Sequence, residues 1–263
     1  MEPLATPFTA TYRLQLHRGF TLDDAAAAVP QLAALGVSHV YLAPILTAVT
    51  GSQHGYDVLD HTAINPELGG RKAFERLAAR CRANGLGIVV DVVPNHMALV
   101  AGQWRNAPLW DVLRHGRNST FAHWFDVDWE HLGGRFGLPI LGGPLADTLS
   151  ELQLDTGRDD EGPAAGQPVL RYYEHVLPLR PDGPATSDLA ELLAGQHWLL
   201  ASHTEAPEVL NYRRFFEVDQ LVAVRVEEPD VFDATHELLL ELHHAGLIDG
   251  FRIDHPDGLA DPE

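Results

Sequence analysis

The chain has 263 residues and a mass of 28.9 kDa, with 45% hydrophobic side chains and a mean hydropathy of -0.10, a mixture that builds a sizeable core and excludes disorder. Its 18 Lys and Arg against 37 Asp and Glu leave a formal net charge of -19, which repels polyanions and anionic membranes and excludes nucleic acid as a partner. Cys81 is the only cysteine, so no internal disulfide or thiolate-held zinc or iron–sulfur centre forms; without an 18-residue apolar run or an apolar leader in residues 1–10, the expected setting is the cytoplasm, with no membrane span.

Residues 10–16 read as a strand, after which Thr21, Asp23 and Asp24 introduce the alanine-rich helix 25–35, stopped at Gly36. VSHVYLAPI, 37–45, has the near-continuous apolar character of a strand covered on both faces, and opens into a long polar loop containing Gly51, Gly55 and Tyr56. After Gly69 and Gly70, the segment 71–83 aligns Phe74, Leu77, Ala78 and Cys81 on one helical face and ends at Asn84-Gly85. GIVVDVV, 87–93, is the third strand, with Asn95 and His96 just past its end.

From Met97 to about Gln220 the rhythm changes, with DDEGPAAGQP and RPDGPATSD as loops, VLRYYEHVLPL as a strand pair and LAELLAGQHWLL as a helix. The earlier rhythm resumes with a helix over 231–245 and a strand over 250–253, followed by Asp254 and His255. Four strands alternating with helices and carrying polar groups at their C-terminal ends predict an α/β fold with a parallel sheet, closed or open. The expected division is 1–97 for the first three strands, 98–220 for an insertion and 221–263 for the resumed sheet.

Arg252 and Asp254 are two apart on a strand and so share a face. A carboxylate beside a guanidinium stays ionised, which suits a nucleophile or an electrostatic stabiliser. Asp91, in the third strand, fits the same charge network; the alternative is a structural Arg–Asp pair tying neighbouring strands. Asn95 and His96 suit either hydrogen bonds to a bound hydroxyl or the capping of a loop. In the glycine-rich loop, Tyr56 is placed to stack on a sugar ring, with His54 beside it and Asp57 fixing its neighbours, or all three pack the loop. Trp104, Trp110, Trp124, Trp129, Phe121, Phe125 and Phe136 give the insertion aromatic residues for a carbohydrate groove or for a small core. His54, His61 and His96 are the candidate metal group, but their spacing imposes no coordination geometry, and no metal is expected. GxGxxG after the first strand, the phosphate loop, HExxH and GxSxG are all missing, so no cofactor is expected either.

DVVPNH at 91–96 and GFRIDH at 250–255 resemble, in this order, the first and second signature regions of the alpha-amylase family of glycoside hydrolases. GSQHGYDVLDH at 51–61, LNYRRFFEVDQLVAVRVE at 210–227, VFDATHELLLEL at 231–242 and DGFRIDHPDGLADP at 249–262 resemble its glucosylmutase branch. The resemblance covers essentially the whole chain, most strongly 9–97 and 210–262 and most loosely 140–205. At 196–216 the chain departs from the aromatic-rich QHYRL stretch of that branch. The resemblance implies a TIM (β/α)8 barrel of the alpha-amylase type, of which the chain holds the first four strands, with a large insertion between the third and fourth. It also implies a maltooligosaccharide substrate whose reducing-end alpha-1,4 bond is converted to alpha-1,1 by a retaining mechanism. The rival expectations are another hydrolase or transglycosylase of the family, or an inactive or merely sugar-binding piece.

Position by position, the resemblance makes Asp254 the nucleophile and Arg252 the arginine that orients it. Asp91 becomes the strand-three aspartate near Arg252, His96 the histidine touching the sugar beside the cut, and Tyr56 the platform under that ring, with His54, Asp57 and His255 also on the substrate side. Asn95 takes a position that helps hold calcium in many relatives, although this branch is not known for needing the ion. The acid/base glutamate and third carboxylate of the family follow the fifth and seventh strands, which places both beyond Glu263. None of Glu205, Glu208, Glu217, Glu227 or Glu228 has a strand-end context, so the implied partner is the remaining C-terminal half of the same polypeptide.

Overall fold

Two stretches far apart in sequence, Met1–Ala98 and Val226–Glu263, build one unit, and Leu99–Arg225 builds a second. The computed structural model describes residues 7–99, 102–156, 162–184, 186, 188–260 and 262; parts of the expected loops at 159–168 and 180–188, the first six residues and positions 261 and 263 lie outside these.

The first unit runs β1 (Thr11–Leu14), α1 (Leu22–Ala34), β2 (His39–Leu42), β3 (Leu46–Ala48), β4 (Val58–Ile64), α2 (Gly70–Ala83), β5 (Gly87–Val92), α3 (Pro229–His244) and β6 (Gly250–Ile253). Thr21 starts α1 with a reciprocal cap: its hydroxyl accepts from the Asp24 N–H, and the Asp24 carboxylate accepts from the Thr21 N–H at 2.8 Å. Leu22, Ala25, Val29 and Leu32 then bury one stripe of α1, and Ala73, Phe74, Leu77, Ala78 and Cys81 one stripe of α2. Gly69, which precedes α2, has φ +100°, and a Cβ there would lie 2.7 Å from that of Ala73, so this turn requires glycine.

Strands β1, β2, β5 and β6 form a parallel sheet in that order, each joined to the next through a helix-containing connection. Alternation along the strands gives the sheet two distinct faces. Leu14, Val40, Leu42, Ile88, Val90 and Val92 lie in the core with the buried stripes of α1 and α2 and with Leu239 and Leu242 of α3. Arg13, Tyr41, Asp91 and Arg252 belong to the opposite alternation, and the register sets Arg252 against Asp91. Strand β6 is at the sheet's edge, where Arg252 and Ile253 are exposed.

Two expectations change here. The strand expected over 37–45 is confined to β2, and the loop after it is not polar throughout. It contains the antiparallel pair β3–β4, in which Val58, Leu59, His61 and Ile64 are buried. Polar Asp60 and Thr62, which bond to each other at the strand's open side, mask that apolar alternation in the sequence.

In the second unit, Val169–Tyr172 pairs with both His175–Pro178 and Leu152–Asp155, realising the expected strand pair with a third strand added. The helix expected in LAELLAGQHWLL covers only Leu189–Ala194; a strand begins at Trp198 and pairs in parallel with Phe136–Leu141. Gly195 caps the helix, and the packing there requires glycine, since a Cβ would sit 2.6 Å from Pro184 Cδ. Trp110, Phe125, Phe136 and Trp198 are all buried, so much of the aromatic content serves this unit's own core. Among the described residues no helix is long and apolar enough to cross a membrane.

Candidate active site

The C-terminal ends of the parallel strands bring the charged side chains of the first unit together around Asp91, whose carboxylate is fully buried. Its Oδ2 accepts hydrogen bonds from the hydroxyls of Tyr41, at 2.7 Å, and Tyr56, at 2.5 Å. Its Oδ1 accepts from Arg252 Nη1 at 2.9 Å, and Arg13 Nη2 approaches Oδ2 to 3.9 Å. Two phenols and a guanidinium thus occupy both oxygens, which makes Asp91 the fixed acceptor around which the others are arranged. The bond to Asp91 raises the Arg252 pKa against the opposing effect of burial, and Asp254 adds to the rise. Burial, and then the bond to Asp91, likewise push the hydroxyl pKa of Tyr56 and of Tyr41 above its ordinary value, so both remain donors.

Asp254 follows β6 directly, and its backbone N–H continues the ladder to the Val92 carbonyl at 2.9 Å. Arg252 Nη1 donates to Asp254 Oδ1 as well as to Asp91. No other bond to the Asp254 carboxylate is present among the described residues, so its second oxygen keeps its lone pairs available. One guanidinium therefore holds two carboxylates in different states: Asp91 saturated with donors, Asp254 oriented but chemically open. That contrast suits Asp254 to nucleophilic attack and Asp91 to support.

Asn95 does not face outward as a hydroxyl donor. Its Nδ2 donates to the carbonyls of Asp254, at 2.8 Å, and His255, at 2.7 Å, across the strand ends. His255 has φ +41°, a left-handed conformation unusual for a side-chain-bearing residue, and these bonds hold the bend that follows the carboxylate. The His255 ring pairs instead with Asp257 at 3.4 Å.

His96 is buried, and its Nε2 bonds to the Tyr56 carbonyl at 3.0 Å; because a carbonyl only accepts, Nε2 carries the proton. Burial lowers its pKa to about 4, so the ring is neutral at pH 7. The Tyr56 loop is braced internally: Ser52 donates to Asp57 Oδ1 at 2.5 Å, the Tyr56 N–H donates to His54 Nδ1 at 3.1 Å, and the His54 and Tyr56 rings stack with centroids 6.0 Å apart. Gly55 has φ +77°, and a Cβ there would lie 2.8 Å from the Pro44 carbonyl, so only glycine lets this loop lie against the chain after β2. His54 and Asp57 accordingly support Tyr56 from the loop side, while Tyr56, Asp91, Asn95, His96, Arg252 and Asp254 form one connected set. No three His, Cys, Asp or Glu among the described residues form a metal-ligand group.

Sequence reasoning misses Tyr41 and Arg13. Both carry polar groups on the non-core alternation of strands that read as apolar, and Arg13 shares a register row with Tyr41. The available signal is that alternation itself: Tyr41 lies between the core residues Val40 and Leu42, and so must face the side of Asp91.

Residues 22–133 match the alpha-amylase catalytic domain. Over 98% of its length the chain is 41% identical to a Mycobacterium tuberculosis protein assigned as a maltooligosyl trehalose synthase, of which it covers 32%. The structure of maltooligosyltrehalose synthase from Arthrobacter ramosus superposes with a TM-score of 0.88 at 44% identity, over 97% of this chain and 32% of that one. A shorter match, 36% identical over 93 residues, links 35% of this chain to 15% of the intracellular maltogenic amylase of Bacillus subtilis. The resemblance read from the signature regions is thus borne out in both sequence and fold, and the chain spans about a third of the length of the synthases it matches.

Proposed function

We propose, taking the chain as a relative of the maltooligosyl trehalose synthases, that it supplies the nucleophile side of a site that rearranges maltooligosaccharides. The terminal alpha-1,4 bond at the reducing end is broken and remade as alpha-1,1. The observation that carries this reading is the shared guanidinium, Asp91–Arg252–Asp254, which orients one carboxylate, Asp254, while the other, Asp91, is tied to the Tyr56 hydroxyl.

In this reading Asp254 attacks the anomeric carbon and forms a covalent glycosyl ester, while a second carboxylic acid protonates the leaving oxygen. In retaining enzymes the two carboxyl groups stand about 5–5.5 Å apart. Asp91 is saturated with donors and unsuited to give up a proton, so the acid comes from sequence outside this chain, together with the barrel strands that complete the fold; the chain alone is inactive. The released glucose turns over and its anomeric hydroxyl attacks the ester. The bond to Asp254 breaks as the alpha-1,1 bond forms, and the hydroxyl proton passes to the carboxylate left by the acid. Neutral His96 and the faces of Tyr56 and His54 bind the ring at the cut.

The test is a reducing-end assay of the full-length protein on maltopentaose, with chain length followed in parallel. Loss of reducing ends at constant length supports the reading, and Asp254→Asn should cut that rate by about three orders of magnitude or more. Release of glucose and maltotetraose as the main products would assign the site to hydrolysis, the activity that the shorter amylase match favours. Sugar binding without turnover would reduce it to a binding module.

A further inference from the structure

Strand β1 carries Arg13 on its site face, Gln15 follows just past the strand's end, and the two side chains are joined by a bond from Arg13 Nη1 to Gln15 Oε1 at 2.6 Å. That bond orients the Gln15 amide, whose Nε2 donates to the backbone carbonyl of Gln53 at 2.9 Å. The other end of the guanidinium, Nη2, donates to the Tyr56 hydroxyl at 3.0 Å. The phenolic oxygen therefore accepts from Arg13 while donating to Asp91, which fixes both the position of the ring's tip and the direction of its proton. The guanidinium lies over the Tyr41 ring, 5.3 Å from its centroid, so a second residue bound to Asp91 also limits where Arg13 can sit.

We propose that Arg13 and Gln15 form a clamp that positions the loop of residues 51–57, and with it the Tyr56 ring, against Asp91. They are positioning residues, acting on substrate only through Tyr56. A core-filling role does not account for them: the Arg13 side chain is 36% exposed, and both of its bonded partners belong to the site face. An arginine is required at this place because two donors in one plane must reach two acceptors, the Gln15 amide and the Tyr56 phenol, at once; a lysine nitrogen serves one of them well. The assignment of Tyr56 as a sugar platform rests on the function proposed above, whereas the clamp on the loop does not.

The experiment has two independent arms. In the 263-residue chain, amide exchange is followed for Arg13→Met and Arg13→Lys. The methionine variant should exchange the amides of Gly55 and Tyr56 roughly tenfold faster, the lysine variant should fall between it and wild type, and residues 87–92 should be unchanged. Unchanged exchange at 55 and 56, or equal acceleration throughout the first unit, overturns the clamp. In the full-length protein, Arg13→Met should lower kcat on maltopentaose about tenfold with KM within about threefold, and lysine should restore part of it. Against a Tyr56→Phe background the same change should cost less than about twofold, because the hydroxyl it orients is gone; additive losses refute action through Tyr56. A wild-type protein that leaves maltopentaose untouched while Arg13→Met loosens the loop refutes the proposed reaction and supports the clamp.

Discussion

Replacing Asp91 with Asn tests the centre of the arrangement, because it keeps the shape and removes the charge. The carboxylate accepts from Tyr41, Tyr56 and Arg252. The amide offers one oxygen and two N–H groups in their place. With the oxygen turned to Arg252, the phenols must rotate to accept; with the oxygen turned to the phenols, the NH2 faces a guanidinium and a donor is lost. Hydrogen bonds to a charged group contribute about 1.5–3 kcal/mol and neutral ones about 1 kcal/mol. Three such exchanges, with the contribution of Arg252 discounted for the 43% exposure of its side chain, give a loss of roughly 2–3 kcal/mol.

The single cysteine supplies the assay. Cys81 is buried in α2, and burial raises its pKa to about 12, so a disulfide reagent reaches a reactive thiol only when the first unit opens. Tryptophan fluorescence would miss the event, since Trp104, Trp110, Trp124, Trp129 and Trp198 all lie in the second unit. At reagent concentrations where reclosing outruns labelling, 2–3 kcal/mol corresponds to labelling roughly 30 to 150 times faster than wild type. A rate within threefold of wild type would refute the claim that Asp91's three donors are energetically coupled to folding.

Gly87→Ala should destabilise the first unit by about 1–3 kcal/mol, since the new Cβ would lie 2.3 Å from His39 Cδ2 and 2.9 Å from Asp249 Oδ2. Neither neighbour is free to retreat, because His39 Nδ1 is bonded to Ser38 and Asp249 accepts from the Ile88 N–H; an unchanged Cys81 labelling rate would contradict this. Acid should weaken the same unit from about pH 6.5 downward. His61 and His96 are held by burial at a pKa of about 4, against an ordinary 6.5, so the unfolded chain binds protons that the folded one refuses. Their contribution is complete above pH 6.5 and is lost progressively towards pH 4, by roughly 3 kcal/mol for each ring. Urea midpoints by circular dichroism that do not fall between pH 7 and pH 4.5, or that fall equally in His61→Gln, would count against it. Thr21→Ala should remove the hydroxyl half of the α1 cap, while the backbone N–H of residue 21 still reaches Asp24, and cost about 1 kcal/mol, measured as a lower urea midpoint at unchanged slope.

Much of the first unit is legible in the amino-acid order because its causes are local. Thr21 and Asp24 start a helix three residues apart, Gly36, Gly69 and Gly85 supply left-handed turns, and the apolar stripe ending at Cys81 repeats at helical spacing. The strand Gly250–Ile253 and the carboxylate after it are equally visible, and the two-residue spacing of Arg252 and Asp254 is enough to predict that they meet. The β3–β4 pair is less visible, since β3 has only three residues, Asp60 and Thr62 interrupt the apolar run of β4, and a glycine-rich turn separates the two.

The site itself is decided by tertiary structure. Asp91 and Arg252 are 161 positions apart, and only the β5–β6 register sets them opposite one another. Tyr41 and Arg13 become visible as site residues only once the sheet has two faces, because an apolar strand of period two reads alike whichever face meets the helices. Asn95, which by sequence suits either a bound hydroxyl or the capping of a loop, donates to carbonyls about 160 residues further along the chain and so braces the strand ends, a contact that no local pattern displays. Caps and periodicity act within a turn or two of the backbone, so composition and order determine them. Convergence of charge at the strand ends depends on which strands pair and in what register, and that is settled by burying one face of the whole sheet at once.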